Sequence, residues 1–331
     1  MEKIIYVDPK EITKLSPISG CPNSRKIKAK PLNCYWENGI LYGDWDLTKR
    51  TLENSLTPKD YQLFMENKNF VYPWGKLIYS MLDGYVQNPE QRYVEVSLGR
   101  RGDLLLVDGR HRLFLAQLLN IKTIPVKVLD VHPDYDDNVI PEFLYNMIAN
   151  KWDKAIKVYH HWGTIKHRYN LCKKYLPLLT ELDVLEVGPN SGMLMWSIMK
   201  YASTLCEIEL QEKYFNQCKI TRDCLKQKTV AILNQSFKET DFKNITFNAF
   251  FGSFVLYHLS NAEIDILKND VLPKCKVVII PNRTKERGKK KNSYFLNRNE
   301  EIAKLLENAG FKVVIENASL KGYSTVIGIR K

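Results

Sequence analysis

Short apolar runs alternate with amphipathic segments through the C-terminal half of the chain. The apolar runs predict buried strands, and segments with apolar residues at helical spacing predict helices between them. In the helix predicted over Asn299–Asn308, Ile302, Leu305 and Leu306 share one face, and Gly310 ends the helix. This alternation predicts an α/β fold. The predicted strands are Val184–Val187, a run ending at Glu209, Thr229–Leu233, Ile245–Phe251, Lys276–Ile280, Lys312–Glu316 and Ser324–Arg330.

The connection between the last two predicted strands is short. It comprises only Asn317–Tyr323, whereas parallel neighbours need a crossover of about a dozen residues or more. We therefore expect these two strands to form an antiparallel hairpin that closes an otherwise parallel sheet.

The segment VLEVGPNSGMLMW, Val184–Trp196, combines a strand, a carboxylate and a turn of small residues. The turn covers Gly188–Gly192, and a helix is predicted over Met193–Lys200. The spacing differs from the GxGxxG pattern of dinucleotide sites. Asn190 fits such a turn because asparagine is the non-glycine residue best able to adopt a left-handed backbone. Together these features predict a site for a nucleoside cofactor.

A second acid follows at the predicted end of the next strand. Glu209 lies 23 positions after Glu186, and the helix predicted beyond it turns Tyr214 and Phe215 inward. A carboxylate at the tip of the second strand of a nucleoside-binding sheet accepts hydrogen bonds from ribose hydroxyls. The alternative is that Glu207 and Glu209 only alternate outward on an edge strand.

Glu186, Gly188, Asn190 and Gly192 resemble the first motif of class I S-adenosylmethionine (SAM)-dependent methyltransferases, although Asn190 stands where that family usually has glycine. The resemblance covers roughly Leu176–Lys331. It implies a Rossmann-like seven-stranded sheet that binds SAM as its cofactor. In that arrangement the turn surrounds the methionine part, Glu209 binds the ribose, and Asn234, after the third strand, lies near the adenine.

The segment after the fourth predicted strand constrains the methyl acceptor. Its sequence, FFGSFVLYHLS, lacks the DPPY or NPPF loop of DNA amino-methyltransferases, and the chain lacks the Pro-Cys pair of cytosine C5 enzymes. These differences favour O-methylation of a glycan, a phosphorylated sugar or a small metabolite. His258 is the candidate base. Alternatively, His258 only caps or packs against the helix that begins near Asn261.

In the N-terminal half, the segment LLLVDGRHR predicts a strand, a tight turn and the start of a helix. Leu104–Val107 forms the strand, Asp108 occupies the N-cap position and Gly109 gives the backbone room to turn. Arg110, His111 and Arg112 then begin a helix whose free amides and guanidinium groups predict a phosphate site.

Alternatives remain open for this segment. It can be an ordinary capped helix with solvated charges. The anionic groups that would compensate its cations are a ligand phosphate or the carboxylates of Asp44, Asp46 and Glu95. The same three acids could instead hold a magnesium ion with bound phosphates.

The DGRHR element resembles the ParB/sulfiredoxin superfamily, in which a similar element cradles nucleotide phosphates. The resemblance covers about Glu2–His132 and implies a module for ATP or CTP with magnesium. Sulfinic acid repair is disfavoured, because Arg110 stands where that activity requires cysteine. A DNA clamp is also disfavoured, because no helix-turn-helix follows. A nucleotide-binding module remains, and the resemblance permits a kinase-like or NTPase activity.

Three segments result: an α+β ParB/sulfiredoxin-like domain over 1–135, a helical connector over 136–175 and the methyltransferase domain over 176–331. The connector is rich in aromatic residues and contains His160, His161 and His167, whose spacing does not place all three on one helical face. We therefore predict no metal site in it.

The net charge of +12 over 331 residues favours an anionic partner. The loop Arg283–Asn292 concentrates six cations, which are solvated or bind phosphate. The competing hypothesis is a nucleic-acid-associated binding protein with a degenerate methyltransferase scaffold. No apolar run reaches the ~20 residues that span a bilayer, so we expect no membrane span and a cytoplasmic protein. Seven cysteines without CxxC spacing favour neither zinc nor a disulfide framework.

Overall fold

A computed structural model describes residues 3–12, 14–15, 93–109, 112–113, 116–117, 120–152, 161–283, 299–318 and 322–330. The chain forms two compact units. Unit 1 comprises Met1–Asp137 and Pro141–Met147, and unit 2 comprises Asn138–Ile140 and Ile148–Lys331. Several residues named in the sequence predictions lie outside the described residues: Asp44, Asp46, Arg110, His111, His160 and the loop residues 284–292.

Unit 1 contains a mixed five-stranded sheet. Its strand order is β1-β5-β3-β4-β2, with β3 parallel to β5 and antiparallel to β4. The core of this sheet includes Val96, Leu106, Ile124 and Val126, all fully buried. The elements are β1 (Lys3–Val7), β2 (Lys14–Leu15), β3 (Val94–Leu98), β4 (Leu104–Asp108), β5 (Ile124–Val131) and helix α1 (Glu142–Ala149), within which the boundary between the units falls.

Unit 2 contains a seven-stranded sheet of order β11-β12-β10-β9-β6-β7-β8. The predicted terminal hairpin is confirmed, since β11 and β12 pair antiparallel and β12 also pairs antiparallel with β10. The strands are β6 (Asp183–Val187), β7 (Thr204–Ile208), β8 (Val230–Leu233), β9 (Ala249–Phe251), β10 (Val277–Arg283), β11 (Lys312–Asn317) and β12 (Tyr323–Ile329). The helices are α2 (Trp162–Cys172), α3 (Met195–Ile198), α4 (Glu212–Leu225), α5 (Asn261–Ile266) and α6 (Asn299–Asn308).

Two elements are shorter than the sequence predicts. Strand β9 begins at Ala249 instead of Ile245, because Asp241 accepts the Lys243 N–H and bends the chain into a short turn over Phe242–Asn244. Helix α3 covers only Met195–Ile198, because the preceding residues form successive tight turns. By contrast, α6 has the predicted bounds.

The parallel strands of unit 2 place their carboxyl ends at one edge of the sheet, here called the carboxyl edge. The strand order reverses between β6 and β9, because β7 and β8 lie on one side of β6 and β10 lies beyond β9. In open α/β sheets ligands bind at such a switch point, outside the carboxyl ends of the strands. The turn after β6 is therefore positioned for a ligand.

Helix α2 packs on the other half of this sheet, against β10 and β12. Its buried side chains include Trp162, Ile165 and Tyr169, and the Trp162 indole N–H donates to the Ile140 carbonyl at 2.7 Å. The Thr325 hydroxyl on β12 donates to the Leu171 carbonyl at 2.6 Å. Within the described ranges, no helix is long and apolar enough to cross a membrane.

Candidate cofactor site at the carboxyl edge of unit 2

The turn after β6 has the left-handed backbone that its sequence predicts. Gly188, Asn190 and Gly192 have φ values of +67°, +59° and +69°. The prediction that Asn190 takes a left-handed conformation is thus confirmed. An added Cβ on Gly188 would lie 3.0 Å from Val255 Cγ2, and one on Gly192 would lie 3.3 Å from Glu207 Oε2. Both positions need glycine for backbone conformation and for space.

Neighbouring elements hold this turn in place. The Gly188 N–H donates to the Ile208 carbonyl at 3.0 Å, which ties the turn to the end of β7. From α4, the Cys218 thiol donates to the Asn190 carbonyl at 2.7 Å, and the Thr221 hydroxyl donates to the Ser191 carbonyl at 2.7 Å. The turn is preorganised, because its carbonyls are already bonded within the protein.

Glu209 lies directly after β7 and faces this turn. Its Oε2 accepts the Asn190 N–H at 3.1 Å and its Oε1 accepts the Gln211 N–H at 3.0 Å. Burial raises the pKa of Glu209, and the backbone N–H groups that it accepts oppose the shift. A carboxylate has about four lone-pair sites, and backbone N–H groups of Asn190, Gln211 and Leu210 bond to this one, so it can accept about one further bond. Glu209, the residue predicted to bind the ribose, therefore lies next to the predicted turn.

Asn234 follows β8 at the same edge. Its side-chain amide donates to the carbonyls of Glu209 and Leu210, at 2.9 and 3.2 Å. It therefore fixes the backbone that presents Leu210, whose side chain is 66% exposed. The sequence predictions missed Leu210, although an apolar residue directly after the strand-tip acid was the available signal. An exposed apolar surface beside a ribose ligand suits one face of a nucleobase.

Two further acids lie inside the sheet beneath the turn. Glu186 and Glu207 are register partners on β6 and β7, so their side chains lie on one face, and both are buried. Apart from each other and the nearby Cys218 thiol, Glu186 Oε2 and the two Glu207 oxygens have no hydrogen-bond donor among the described residues. Burial raises the pKa of Glu207 to about 8, and burial together with the Glu207 charge raises that of Glu186 well above its ordinary value. The sequence reasoning did not identify Glu207 as part of this pair.

His258 lies away from these buried groups. It ends a short turn over Leu256–His258 after β9, its side chain is exposed, and its ring is 4.3 Å from that of Tyr257. Helix α5 is capped instead by Ser260, whose hydroxyl accepts the Glu263 N–H while the Glu263 carboxylate accepts the Ser260 N–H. The alternative in which His258 caps this helix is therefore wrong, and its role as a base stays a prediction.

In unit 1, the structure revises the predicted N-cap at the phosphate segment. Asp108 is the last, exposed residue of β4 and pairs in register with Glu95 on β3. The N-cap is Gly109, because its carbonyl accepts the Leu113 N–H at 3.0 Å. Gly109 has a φ of +87°, and an added Cβ would lie 2.9 Å from Val94 Cα. Arg112 is helical, and its buried Nε has no hydrogen-bond partner.

Potential metal ligands are dispersed in the part of the chain that the structure describes. There, no group of three or more His, Cys, Asp or Glu side chains is placed to hold a metal ion. Of the three acids proposed to hold magnesium, only Glu95 lies within these residues.

These observations define the class of fold. The resemblance to SAM-dependent methyltransferases implies a seven-stranded sheet that an antiparallel hairpin closes. Unit 2 has such a sheet, and the turn after β6 lies at its switch point. Unit 2 therefore has the methyltransferase fold.

Comparison with known proteins gives distant structural relatives. No protein-family model and no curated protein matches the sequence. The chain is similar to the structure of a SAM-dependent methyltransferase from Aquifex aeolicus, with 20% identity, a TM-score of 0.41, and 56% of this chain and 98% of that one covered. It is also similar to the structure of magnesium protoporphyrin IX methyltransferase from Synechocystis PCC 6803 with bound SAH, with 13% identity, a TM-score of 0.43, and 59% of this chain and 100% of that one covered. A third similar structure is that of an O-methyltransferase family protein from Burkholderia thailandensis, with 11% identity, a TM-score of 0.42, and 51% of this chain and 57% of that one covered.

Proposed function

We propose that unit 2 is a SAM-dependent methyltransferase that modifies an oxygen of an anionic small molecule or glycan. The observation that carries this proposal is the hydrogen bond between the Asn190 N–H and the Glu209 carboxylate. It joins the left-handed turn after β6 to the acid after β7, at the switch point of the sheet. A turn and an acid at this place form a site for a nucleoside.

Two features of the residues present fit SAM. The Glu209 carboxylate can accept a further hydrogen bond from a ribose hydroxyl, and exposed Leu210 offers an apolar surface to the adenine. The buried acids Glu186 and Glu207 lie beneath the turn, where their raised pKa values leave the carboxyl groups largely protonated near pH 7, so they add polar groups without a full negative charge.

SAM supplies a methyl group on a sulfonium that is already an excellent leaving group. The main tasks of the protein are therefore to hold the acceptor oxygen in line with the methyl group and to exclude water. An acceptor hydroxyl also requires a group that accepts its proton. Oxygen is the proposed target because the segment after β9 has none of the motifs that DNA base methylation requires.

Replacement of Glu209 by alanine tests this proposal. We expect Glu209→Ala to weaken binding of SAM, and of its demethylated product S-adenosylhomocysteine (SAH), by about tenfold to a hundredfold. Hydrogen bonds to a charged group contribute roughly 1.5–3 kcal/mol, and the variant also removes the acceptor of the Asn190 N–H. The measurement is isothermal titration calorimetry on the full chain.

The matched control is Glu307→Ala, which removes an exposed acid from the last turn of α6. It should leave SAM affinity unchanged. If the wild-type chain gives no saturable binding of SAM or SAH, or if Glu209→Ala binds both with wild-type affinity, the proposed cofactor site is wrong.

For unit 1 we propose a second site, which binds the phosphates of ATP or CTP with magnesium. The observation in its favour is Arg112, a helical residue of the DGRHR segment whose buried Nε–H has no acceptor. A buried unsatisfied donor costs roughly 1–3 kcal/mol, and a phosphate oxygen would satisfy it.

Removing the Arg112 guanidinium should weaken nucleotide binding. We expect Arg112→Ala to lower the affinity for ATP or CTP, titrated with magnesium, by tenfold or more, because a charge-assisted bond to phosphate is lost. SAM affinity should not change, and Lys122→Ala, at an exposed lysine of the same unit, is the control. If wild type binds neither nucleotide, or Arg112→Ala binds them equally well, the proposed phosphate site is wrong.

A further inference from the structure

Five side chains gather at the carboxyl ends of β9 and β10, here called the aromatic-basic cluster: His167, Arg168, Phe254, Arg283 and Tyr323. The Tyr323 ring is the centre. Its centroid lies 4.6 Å from that of His167 and 6.0 Å from that of Phe254, both edge to face. The Arg283 guanidinium carbon lies 5.7 Å from the Tyr323 ring, and that of Arg168 lies 5.4 Å from the Phe254 ring.

Four parts of the chain hold the cluster in place. Arg283 ends β10 and pairs in register with Tyr323, the first residue of β12, while His167 and Arg168 are adjacent on α2. Phe254 has a φ of +57°, and its N–H donates to the Pro281 carbonyl at 2.9 Å. A non-glycine residue held in this region is strained, and such strain is typical of functional sites.

The cluster adjoins the proposed cofactor site. Val255, next to Phe254, has its Cγ2 3.0 Å from where a Cβ on Gly188 would lie. Arg168 interacts electrostatically with the carboxylate of Glu186 beneath the turn. A ligand in the cluster would therefore lie beside a ligand on the turn, which is the relation that methyl transfer requires.

The two guanidinium groups can bind an anion. Stacking on an aromatic ring uses the face of a guanidinium and leaves its in-plane N–H donors for a carboxylate or phosphate. In the described parts of the chain, no carboxylate forms an ion pair with Arg168 or Arg283, and the buried Nε of Arg283 has no hydrogen-bond partner.

His167 supplies a group that can accept a proton. Its Nε2 is buried and has no hydrogen-bond partner. Burial and the neighbouring charge of Arg168 lower the pKa of His167, so the imidazole is neutral near pH 7 and one ring nitrogen holds a free lone pair. Of the two candidate bases, His258 is on an exposed turn, whereas His167 lies among the groups that adjoin the cofactor site.

We propose that the aromatic-basic cluster is the acceptor site of the methyl transfer proposed above, on which this inference depends. The acceptor is an anionic hydroxyl compound whose carboxylate or phosphate binds Arg168 and Arg283. Its hydroxyl oxygen attacks the methyl carbon, forming the C–O bond as the C–S bond breaks. The electron pair of that bond stays on sulfur to give the thioether SAH, and the hydroxyl proton passes to Nε2 of His167.

Binding to the SAH-saturated full chain tests the anion site. The charged probes are 4-hydroxybenzoate, glucuronate and glucose 6-phosphate, and the neutral ones are phenol and glucose. We expect at least one charged probe to bind more tightly than its neutral counterpart, and Arg283→Gln to weaken it about tenfold or more. Lys219→Gln is the matched control, because it removes a cation from the Phe215 ring on α4. Which probe binds distinguishes carboxylate from phosphate and arene from sugar.

Replacement of His167 tests proton transfer. With the charged probe that wild type methylates, His167→Phe should lower kcat about a hundredfold and remove the acid limb of the pH profile, while SAM affinity is retained. Phenylalanine preserves the edge contact with Tyr323. His132→Phe, at a histidine of unit 1 with no proposed role, is the matched control and should retain wild-type turnover.

The outcomes are distinct. If the chain does not bind SAH, the proposed function itself fails. If SAH binds, the acceptor site is overturned when no charged probe binds more tightly than its neutral counterpart, when Arg283→Gln binds the preferred anion with wild-type affinity, or when no charged probe is methylated. If His167→Phe keeps wild-type turnover, the base assignment is overturned.

Discussion

Gly188→Trp should abolish SAM binding. Residue 188 has a φ of +67°, and even a single added carbon would lie 3.0 Å from Val255 Cγ2. A left-handed conformation costs a side chain roughly 1–2 kcal/mol, and the indole ring would project from the turn that is proposed to enclose the cofactor. We expect the affinity for SAM and SAH to fall more than a hundredfold, measured by titration calorimetry on the full chain.

Two further variants separate this effect from general destabilisation. Gly310→Ala places a side chain at another left-handed glycine, with a φ of +84°, where an added Cβ meets nothing within 4 Å. It should lose stability and keep SAM affinity. Gly188→Ala should fall between wild type and the tryptophan variant. If folded Gly188→Trp binds SAM as wild type does, the turn after β6 is not the cofactor site.

The sequence was informative where structure is local. Strands buried on both faces appear as continuous apolar runs, which is why the positions of the strands along the chain could be predicted, and the short connection Asn317–Tyr323 predicted the final hairpin. The left-handed turn was also predictable, because Gly188, Asn190 and Gly192 are the residue types that such a backbone admits. The errors at β9 and α3 have local causes too: a side-chain cap by Asp241 and a series of tight turns that helical periodicity does not report.

The rest of the site depends on register and on distant contacts. Because side chains alternate between the two faces of a strand, the sequence places Glu207 and Glu209 on the same face. Only the pairing of β6 with β7 places Glu207 opposite Glu186. The aromatic-basic cluster joins residues from α2, the segment after β9, the end of β10 and the start of β12. Tyr323 meets Arg283 because β12 runs antiparallel to β10. Propensity and spacing carry no information on these contacts, so His167 looked like one of several connector histidines.

Stability should fall as the pH rises from about 5 to about 8, because of the buried acids Glu186 and Glu207. The pKa of Glu207 is about 8 in the folded chain, and burial is the main cause. An unfolded glutamic acid ionises near pH 4.3. Between these values the folded chain holds a proton that the unfolded chain has released. Each such proton gives a slope of at most about 1.4 kcal/mol per pH unit, and stability decreases with rising pH.

Carboxamide variants identify the source of this slope. Glu207→Gln cannot ionise, so it should reduce the slope and be more stable than wild type at pH 8, and Glu186→Gln combined with Glu207→Gln should reduce it further. The measurement is urea unfolding of the full chain between pH 5 and 8, following the transition that SAH shifts. The exposed Glu307→Gln is the control and should keep the wild-type slope. If Glu207→Gln has the same slope as wild type, the two buried carboxyls do not retain a proton, and the negative charge under the turn is larger than the structure indicates.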